Sequence, residues 1–281
     1  MYKMIFLWAL ALVFIVFAIF QDLKTREIAN WINFSLIIFA LGFRFFYSLF
    51  SGDGFSFFYQ GIIGFGIFFI LGNLFYYSRV FAGGDAKLMI ALGTILPYYS
   101  DFFSNVILFV NFLLIFLSCG FFYILIASTY LCIKNFKLFK KEFSKQFKEK
   151  RKLLIAVLLF SIFFLILGFF LSPFFILGVF LFLIFPLYLY SKAIDTACMI
   201  REISSIYLRE GDWLYSDVKI GKNVIKASWD GLSKKDIKEI RKKFKKIKIR
   251  KGIPFSPTFL FSLLIFILLI IFNANLWDSF W

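Results

Sequence analysis

The sequence predicts a polytopic α-helical membrane protein with about eight transmembrane helices. A small cytoplasmic α+β domain is expected before the last of them. Three observations carry this expectation. Hydrophobic residues make up 62% of the chain and the mean hydropathy is +0.87, more apolar than ordinary soluble domains. Several apolar runs approach or exceed the roughly 18–20 residues that cross a bilayer. The formal net charge of +16 resides almost entirely in a few connecting segments, as cytoplasmic loops facing anionic lipid require. That placement argues for lipid rather than nucleic acid as the partner of the basic residues.

The first apolar run, residues 4–20, is about 26 Å long as a helix, enough for one span. A cleaved signal peptide is the alternative, since Lys3 precedes the run. No small-x-small cleavage site follows it, and many more spans do. A polar segment, 21–30, leads to a second span over 31–50 that opens on the aromatic Trp31, as membrane interfaces favour. Arg44 lies inside this span and must either snorkel or face protein. The short connection 51–60 carries one charge, Asp53. The third span, 61–77, contains Gly61, Gly64, Gly66 and Gly72, small residues that let transmembrane helices pack closely. A fourth span continues over 86–96 and stops near Pro97. It is short for a crossing, so Pro97-Tyr98-Tyr99 falls within the interface. The fifth, 102–133, is long for one crossing and is either tilted or extended beyond the membrane.

Residues 134–152 are dense in lysine, with Phe136, Phe139, Phe143 and Phe147 interleaved at three-to-four spacing. That pattern describes an amphipathic helix on a membrane surface. Runs at 153–171 and 174–190 form a transmembrane hairpin around Ser172-Pro173, with Pro186 a candidate kink in the second arm. Residues 191–252 form the polar region. Within it, 217–220 and 223–228 read as short strands around a Gly221-Lys222 turn. Ser233 is the expected cap of a helix running towards Lys243, and 246–250 returns as a strand. The last span is expected over 256–272. The domain division is therefore 1–133, a membrane core; 134–190, the basic segment and hairpin; 191–255, the α+β domain; and 256–281, the final helix and tail.

Topology follows from the basic residues. With the N-terminus outside, the segments 21–30, 78–87, 134–152 and 191–255 are cytoplasmic, and each contains Lys or Arg. The remaining connections and the tail are external and contain none, Lys3 at the N-terminus excepted. This is the positive-inside pattern. It brings Asp22, at the end of the first span, to the same face as Asp85, at the start of the fourth.

Asp85 lies in Phe81-Ala82-Gly83-Gly84-Asp85-Ala86-Lys87-Leu88, a charged stretch between two strongly apolar ones. Ionisable groups at such places are costly and mark candidate functional sites. Gly83 and Gly84 permit close backbone approach. Two carboxylates held together cannot both ionise easily and share a proton. One can then act as base on water while the other protonates a leaving group. The plainer reading, two hydrated interfacial aspartates, stands beside it. For Lys87 the two readings are charge tuning of Asp85 and interfacial snorkelling. Asn30 is expected to cap the second helix. The absence of histidine removes Ser-His, Cys-His and histidine-ligated metal chemistry. Cys119, Cys132 and Cys198 match no metal or disulfide spacing. No metal or other cofactor is expected.

These residues resemble a known family. Ala82-Gly83-Gly84-Asp85-Ala86-Lys87-Leu88 looks like the GxGD signature of the type IV prepilin peptidases, and Asp22 with Ile28-Ala29-Asn30 resembles their first aspartate and its downstream Ile-Pro-Asn. Asp230-Gly231-Leu232-Ser233, Asp236-Ile237 and Arg250-Lys251-Gly252-Ile253-Pro254-Phe255-Ser256-Pro257 are similar to the archaeal branch, the preflagellin (archaellin) and prepilin peptidases. The departures are Ala82 for the first glycine, Ala29 for the proline, and the addition of 134–190 to an expected six-span arrangement. The paired-cysteine motifs of many bacterial members are missing, so their N-methyltransferase activity is not expected.

The resemblance implies a membrane aspartyl endopeptidase with Asp22 and Asp85 as its catalytic pair. Gly83, Gly84, Lys87 and Asn30 would be the supporting motif residues. The substrate would be a type IV pilin or archaellin precursor, cut between a short basic leader and an apolar helix at the cytoplasmic interface. Gly83 and Gly84 would admit the substrate backbone. The rivals are a proton- or ion-coupled transporter using interfacial carboxylates, a lipid-binding scaffold, and a Ser-Lys protease, for which no specific serine motif is present.

Overall fold

The computed structural model describes residues 2–52, 54–220, 223–228 and 231–272. The expected Gly221-Lys222 turn, Asp53, Asp230 and the external tail lie outside the described residues. The helices are α1 (Tyr2–Thr25), α2 (Asn30–Ser51), α3 (Ser56–Tyr77), α4 (Gly83–Gly93), α5 (Phe102–Lys134), α6 (Phe136–Gly168), α7 (Ser172–Ala197), α8 (Lys234–Lys243) and α9 (Pro257–Ile271). The strands are β1 (Ile200–Ser204), β2 (Trp213–Leu214), β3 (Val218–Ile220), β4 (Asn223–Ile225) and β5 (Lys246–Arg250). Every apolar segment expected to span is helical. Among the described residues six helices, α1, α2, α3, α5, α6 and α7, are long and apolar enough to cross a membrane. At 11 residues α4 is too short, about 17 Å, and α9 at 15 is intermediate.

The chain forms two compact units, Met1–Leu125 with Pro254–Trp281, and Ile126–Ile253. In the first, helices α1–α4, the first part of α5 and α9 enclose an apolar core. Leu7, Ile15, Leu36, Leu88 and Leu92 are fully buried there, with an aromatic cluster of Phe68, Phe112, Phe116 and Phe259. The rings of Phe116 and Phe259 lie 4.8 Å apart.

The α3 glycines do what the sequence implies. A Cβ at Gly64 would collide with the Gly93 carbonyl, and one at Gly72 would lie 2.9 Å from the Ala86 carbonyl oxygen. Gly61 lies against the Arg44 side chain, whereas Gly66 faces open space. The first two let α3 and α4 touch backbone to backbone. Gly64→Val is therefore expected to destabilise this unit by about 1–3 kcal/mol or more, through overpacking that backbone cannot relieve. Gly66→Val is expected to be near neutral. Thermal unfolding of the detergent-solubilised chain compares the two, and equal losses would refute the packing account.

Of the two options for Arg44, the structure takes the inward one. Its side chain is fully buried and donates to four carbonyls: Thr94 at 2.8 Å through Nε, Phe57 at 2.9 Å, Ile95 at 3.1 Å and Pro97 at 2.7 Å. The last turn of a helix leaves its carbonyls without intrahelical partners. Non-helical backbone at membrane depth is tolerated only where protein satisfies it. Arg44 does that for the end of α4 and the buried segment after it. Asn105 completes the turn, accepting the N–H groups of Tyr98 and Tyr99 and donating to Gln60. At the start of α5, Asp101 accepts the Ser104 N–H at 2.8 Å, which holds its carboxyl below the usual carboxylate range.

In the second unit, α6 and α7 form the expected hairpin. Ser161 donates to the Gly178 carbonyl at 3.1 Å, and Lys150 to the Tyr188 hydroxyl at 2.7 Å. The basic segment differs from expectation. It is not a separate surface helix but the first half of α6, one uninterrupted helix of 33 residues. No glycine or proline intervenes between the lysine-rich and apolar halves. Part of the aromatic stripe also has a protein partner, because Phe139 meets the Tyr190 ring and Phe143 joins the Leu154, Phe185 and Leu189 cluster. Pro186 lies within α7, which continues through it to Ala197.

The polar region is α+β. An antiparallel sheet has strand order β1-β5-β2, and β3 pairs with β4 in the expected hairpin. Lys246–Arg250 alternates exposed and buried residues, turning Ile247 and Ile249 into a core with Leu214, Ile237 and Ile240. Ser233 caps α8 as expected, in a capping box with Asp236. Strands β1 and β2 have no counterpart in the sequence reading. They are short, five and two residues, and pairing with β5 makes them strands.

Candidate active site

Four helix ends converge in the first unit. The α1 helix does not stop at the apolar boundary but runs on to Thr25, so Asp22 is held on helix rather than in a loop. Arg26 then turns the chain in the left-handed region, φ 64°, with its N–H on the Asp22 carbonyl at 2.8 Å. The Gln21 side chain accepts the Ala29 N–H at 2.8 Å and closes the connection to α2. At the other side, Arg79 makes a similar turn, φ 62°, after α3. The α4 helix then begins at Gly83 and places Asp85 in its first turn, where the helix dipole favours a carboxylate.

Both carboxyls are buried, Asp22 at 7% and Asp85 at 9% exposure. They lie within electrostatic reach of each other. The start of α9 joins them, since the Ser256 N–H points at Asp22 Oδ2 from 3.3 Å. An N–H at the head of a helix is a natural partner for an anion. Tyr123 of α5 is also near enough to feel the Asp22 charge.

The supporting residues are drawn together too, though in other roles than expected. A Cβ on Gly84 would lie 3.0 Å from Ile28 Cβ. The missing side chain thus admits the chain's own α1–α2 connection against the start of α4. Gly83 is less confined, its nearest neighbour being Tyr76 at 3.6 Å. Asn30 is not the α2 cap; Ala29 holds that position and makes no side-chain capping bond. Asn30 Oδ1 instead accepts from Lys87 Nζ at 2.6 Å, fastening α2 to α4. The Lys87 ammonium has an amide partner where charge tuning and snorkelling were the alternatives.

Three contributors were missed by the sequence reading. Ser256 acts through its backbone N–H, which no residue type signals. Gln21 is visible only as a polar residue beside the aspartate. Asn33, fully buried in α2, donates to the Gly84 carbonyl at 3.4 Å. Its signal was a polar amide within an apolar span. Among the described residues no group of acidic, histidine or cysteine side chains is suited to hold a metal ion, and the three cysteines are free thiols.

A buried pair of carboxyls with access to water can activate that water and protonate a leaving amine. The comparisons with known proteins bear on this arrangement. Residues 8–131, which include both aspartates, match the type IV leader peptidase family. A preflagellin peptidase of Methanocaldococcus jannaschii is 37% identical over 79 residues, 28% of this chain and 33% of that protein. Preflagellin peptidases of Methanococcus maripaludis and Methanococcus voltae are 34% and 30% identical over 85 and 93 residues, which is 30% and 33% of this chain and 36% and 39% of those proteins. The matched segments therefore span little more than a third of the curated relatives. No solved structure matches the chain.

Proposed function

We propose, for a chain whose residues 8–131 match the type IV leader peptidase family, that it is a membrane aspartyl endopeptidase. Its substrates would be type IV pilin-like or archaellin precursors, from which it removes a short basic leader. The observation that supports this best is that two buried aspartates, Asp22 from the end of α1 and Asp85 from the start of α4, lie within electrostatic reach of each other. Among the described residues nothing favours the alternative, a proton- or ion-coupled transporter.

In this reading Asp22 and Asp85 share one proton. The ionised member takes a proton from water, whose oxygen attacks the scissile carbonyl carbon. As the C–N bond breaks, the protonated member gives its proton to the departing amine. The proton taken from water restores the starting state of the pair. Gly84 and Ile28 hold the pair close, and the Lys87–Asn30 bond keeps α4 in register with α2. The domain division proposed is a catalytic core over 1–133, an added basic hairpin over 134–190, an α+β domain over 191–255 and a final helix. Lysines of the first half of α6 would meet anionic lipid headgroups.

The basic connections support an N-terminus outside and cleavage at the cytoplasmic face. Sealed vesicles test activity and orientation together. Inside-out vesicles carrying the chain are expected to cut an added pilin or archaellin precursor, and right-side-out vesicles to spare it. Cleavage by neither, with the precursor fully accessible, sinks the peptidase reading. Cleavage by right-side-out vesicles alone reverses the orientation.

A further inference from the structure

The α6–α7 hairpin gathers positive charge that its own packing does not balance. Lys150 of α6 reaches across to α7 and donates to the Tyr188 hydroxyl at 2.7 Å, its ammonium 4.5 Å from the centre of the Tyr188 ring. Lys192, one turn beyond Tyr188 on α7, lies close enough to the same hydroxyl to act on it electrostatically. Two cations are thus drawn towards one neutral oxygen. Among the described residues neither forms an ion pair, the bridges there being Lys234–Glu210 and Arg250–Asp195. Asp195, the one acidic residue of α7, is therefore taken. Glu149, beside Lys150 on α6, projects about 100° round the helix from it. Like charges brought together repel, and a low dielectric alongside strengthens the repulsion. An anion between them relieves it.

The donors and their level define that anion. The two ammoniums have further N–H groups to offer, and the Tyr188 oxygen, accepting from Lys150, keeps its own O–H to donate. Convergent donors of this kind suit the oxygens of a phosphate. The cluster sits where the lysine-rich half of α6 ends at Lys152 and the apolar run begins at Leu153, the level of lipid headgroups. Towards the membrane interior, Ile184 and Leu177 continue the Tyr188 face of α7. They are 43% and 39% exposed, an apolar track for a hydrocarbon chain. We propose that Lys150, Tyr188 and Lys192 bind the phosphate of an anionic phospholipid, whose acyl chain lies along this face of α7. The site goes beyond a general attraction of the α6 lysines to a charged surface, because it needs both arms of the hairpin. It rests on the membrane placement of the hairpin and is independent of the peptidase reading.

Native mass spectrometry of the full-length chain in neutral detergent, titrated with phosphatidylglycerol, tests this. Binding to wild type is expected to saturate. Lys150→Gln combined with Lys192→Gln should weaken it about tenfold or more, the loss of two charges beside a phosphate. Tyr188→Phe, which changes no charge, should weaken it about threefold through one lost hydrogen bond. Lys137→Gln combined with Lys141→Gln removes the same charge from exposed positions of the same helix, and should leave the affinity close to wild type. All three site residues are at least partly exposed, so each variant is expected to fold, which its unfolding temperature checks. Equal weakening by the two double variants, or a wild-type affinity in either variant of the site, overturns the inference in favour of diffuse attraction. Diacylglycerol, with the chains but no phosphate, should not compete. Inorganic phosphate that displaces the lipid at matched concentration would make the ligand free phosphate and overturn the lipid assignment.

Discussion

Asp22→Asn and Asp85→Asn are each expected to lower precursor cleavage by about 10²–10⁴-fold, the range for loss of a positioned acid or base. The amide is close in size and shape to the carboxyl, so packing is retained. At residue 22 its Oδ1 still accepts the Ser256 N–H, a bond now made to Asp22 at 3.3 Å. Neither amide can take up or release the proton that the proposed mechanism requires. The losses should not multiply in the double variant, because the two groups act as one unit. The measurement is the rate of mature product release at matched amounts of folded enzyme. Full activity in either single variant would end the two-carboxyl mechanism. A transporter would behave differently, losing flux without any cleavage to lose. A lipid-binding scaffold would notice neither change.

Arg44→Leu is the stability change with the largest expected effect. Truncation strips the donor from the carbonyls of Phe57, Thr94, Ile95 and Pro97 at once. Each buried carbonyl left unpaired costs about 1–3 kcal/mol. Backbone relaxation will offset part of the sum, so a loss of about 3–5 kcal/mol is the expected net. The guanidinium also stacks over the Phe57 ring, 4.2 Å from its centroid. Arg44→Lys is expected to recover little, because an ammonium cannot reach several carbonyls from one planar fork. Chemical or thermal unfolding in detergent would report it, and a lysine variant as stable as wild type would refute the geometric argument. Loss of activity should accompany loss of fold, since Arg44 secures the far end of the short helix that carries Asp85.

Much of this molecule was legible from residue order. Apolar runs located the six described helices long enough to cross a membrane, because a bilayer demands about 20 apolar residues per crossing whatever the neighbours. Ser233 with Asp236 marked the start of α8, and the alternation through Lys246–Arg250 marked β5, because caps and pleats are local in sequence. The two aspartates stood out as candidates because carboxyls at apolar boundaries are rare and costly.

Only the tertiary structure decided what those residues meet. Asn30 looked like a cap and instead binds Lys87, a partner 57 positions away. Gly84 looked like room for a substrate and instead makes room for Ile28. Arg44 offered two fates, and the choice rested on three carbonyls freed where α4 ends and a fourth, of Phe57, at the start of α3. Residues 134–152 had the periodicity of a surface helix, but continuity with the next span and the α7 side chains claimed part of that face. The physical reason is common to all four. Burial and helix period act within a stretch of chain and are written in it, whereas a hydrogen bond or a close approach belongs to two distant stretches and exists only once the fold has brought them together.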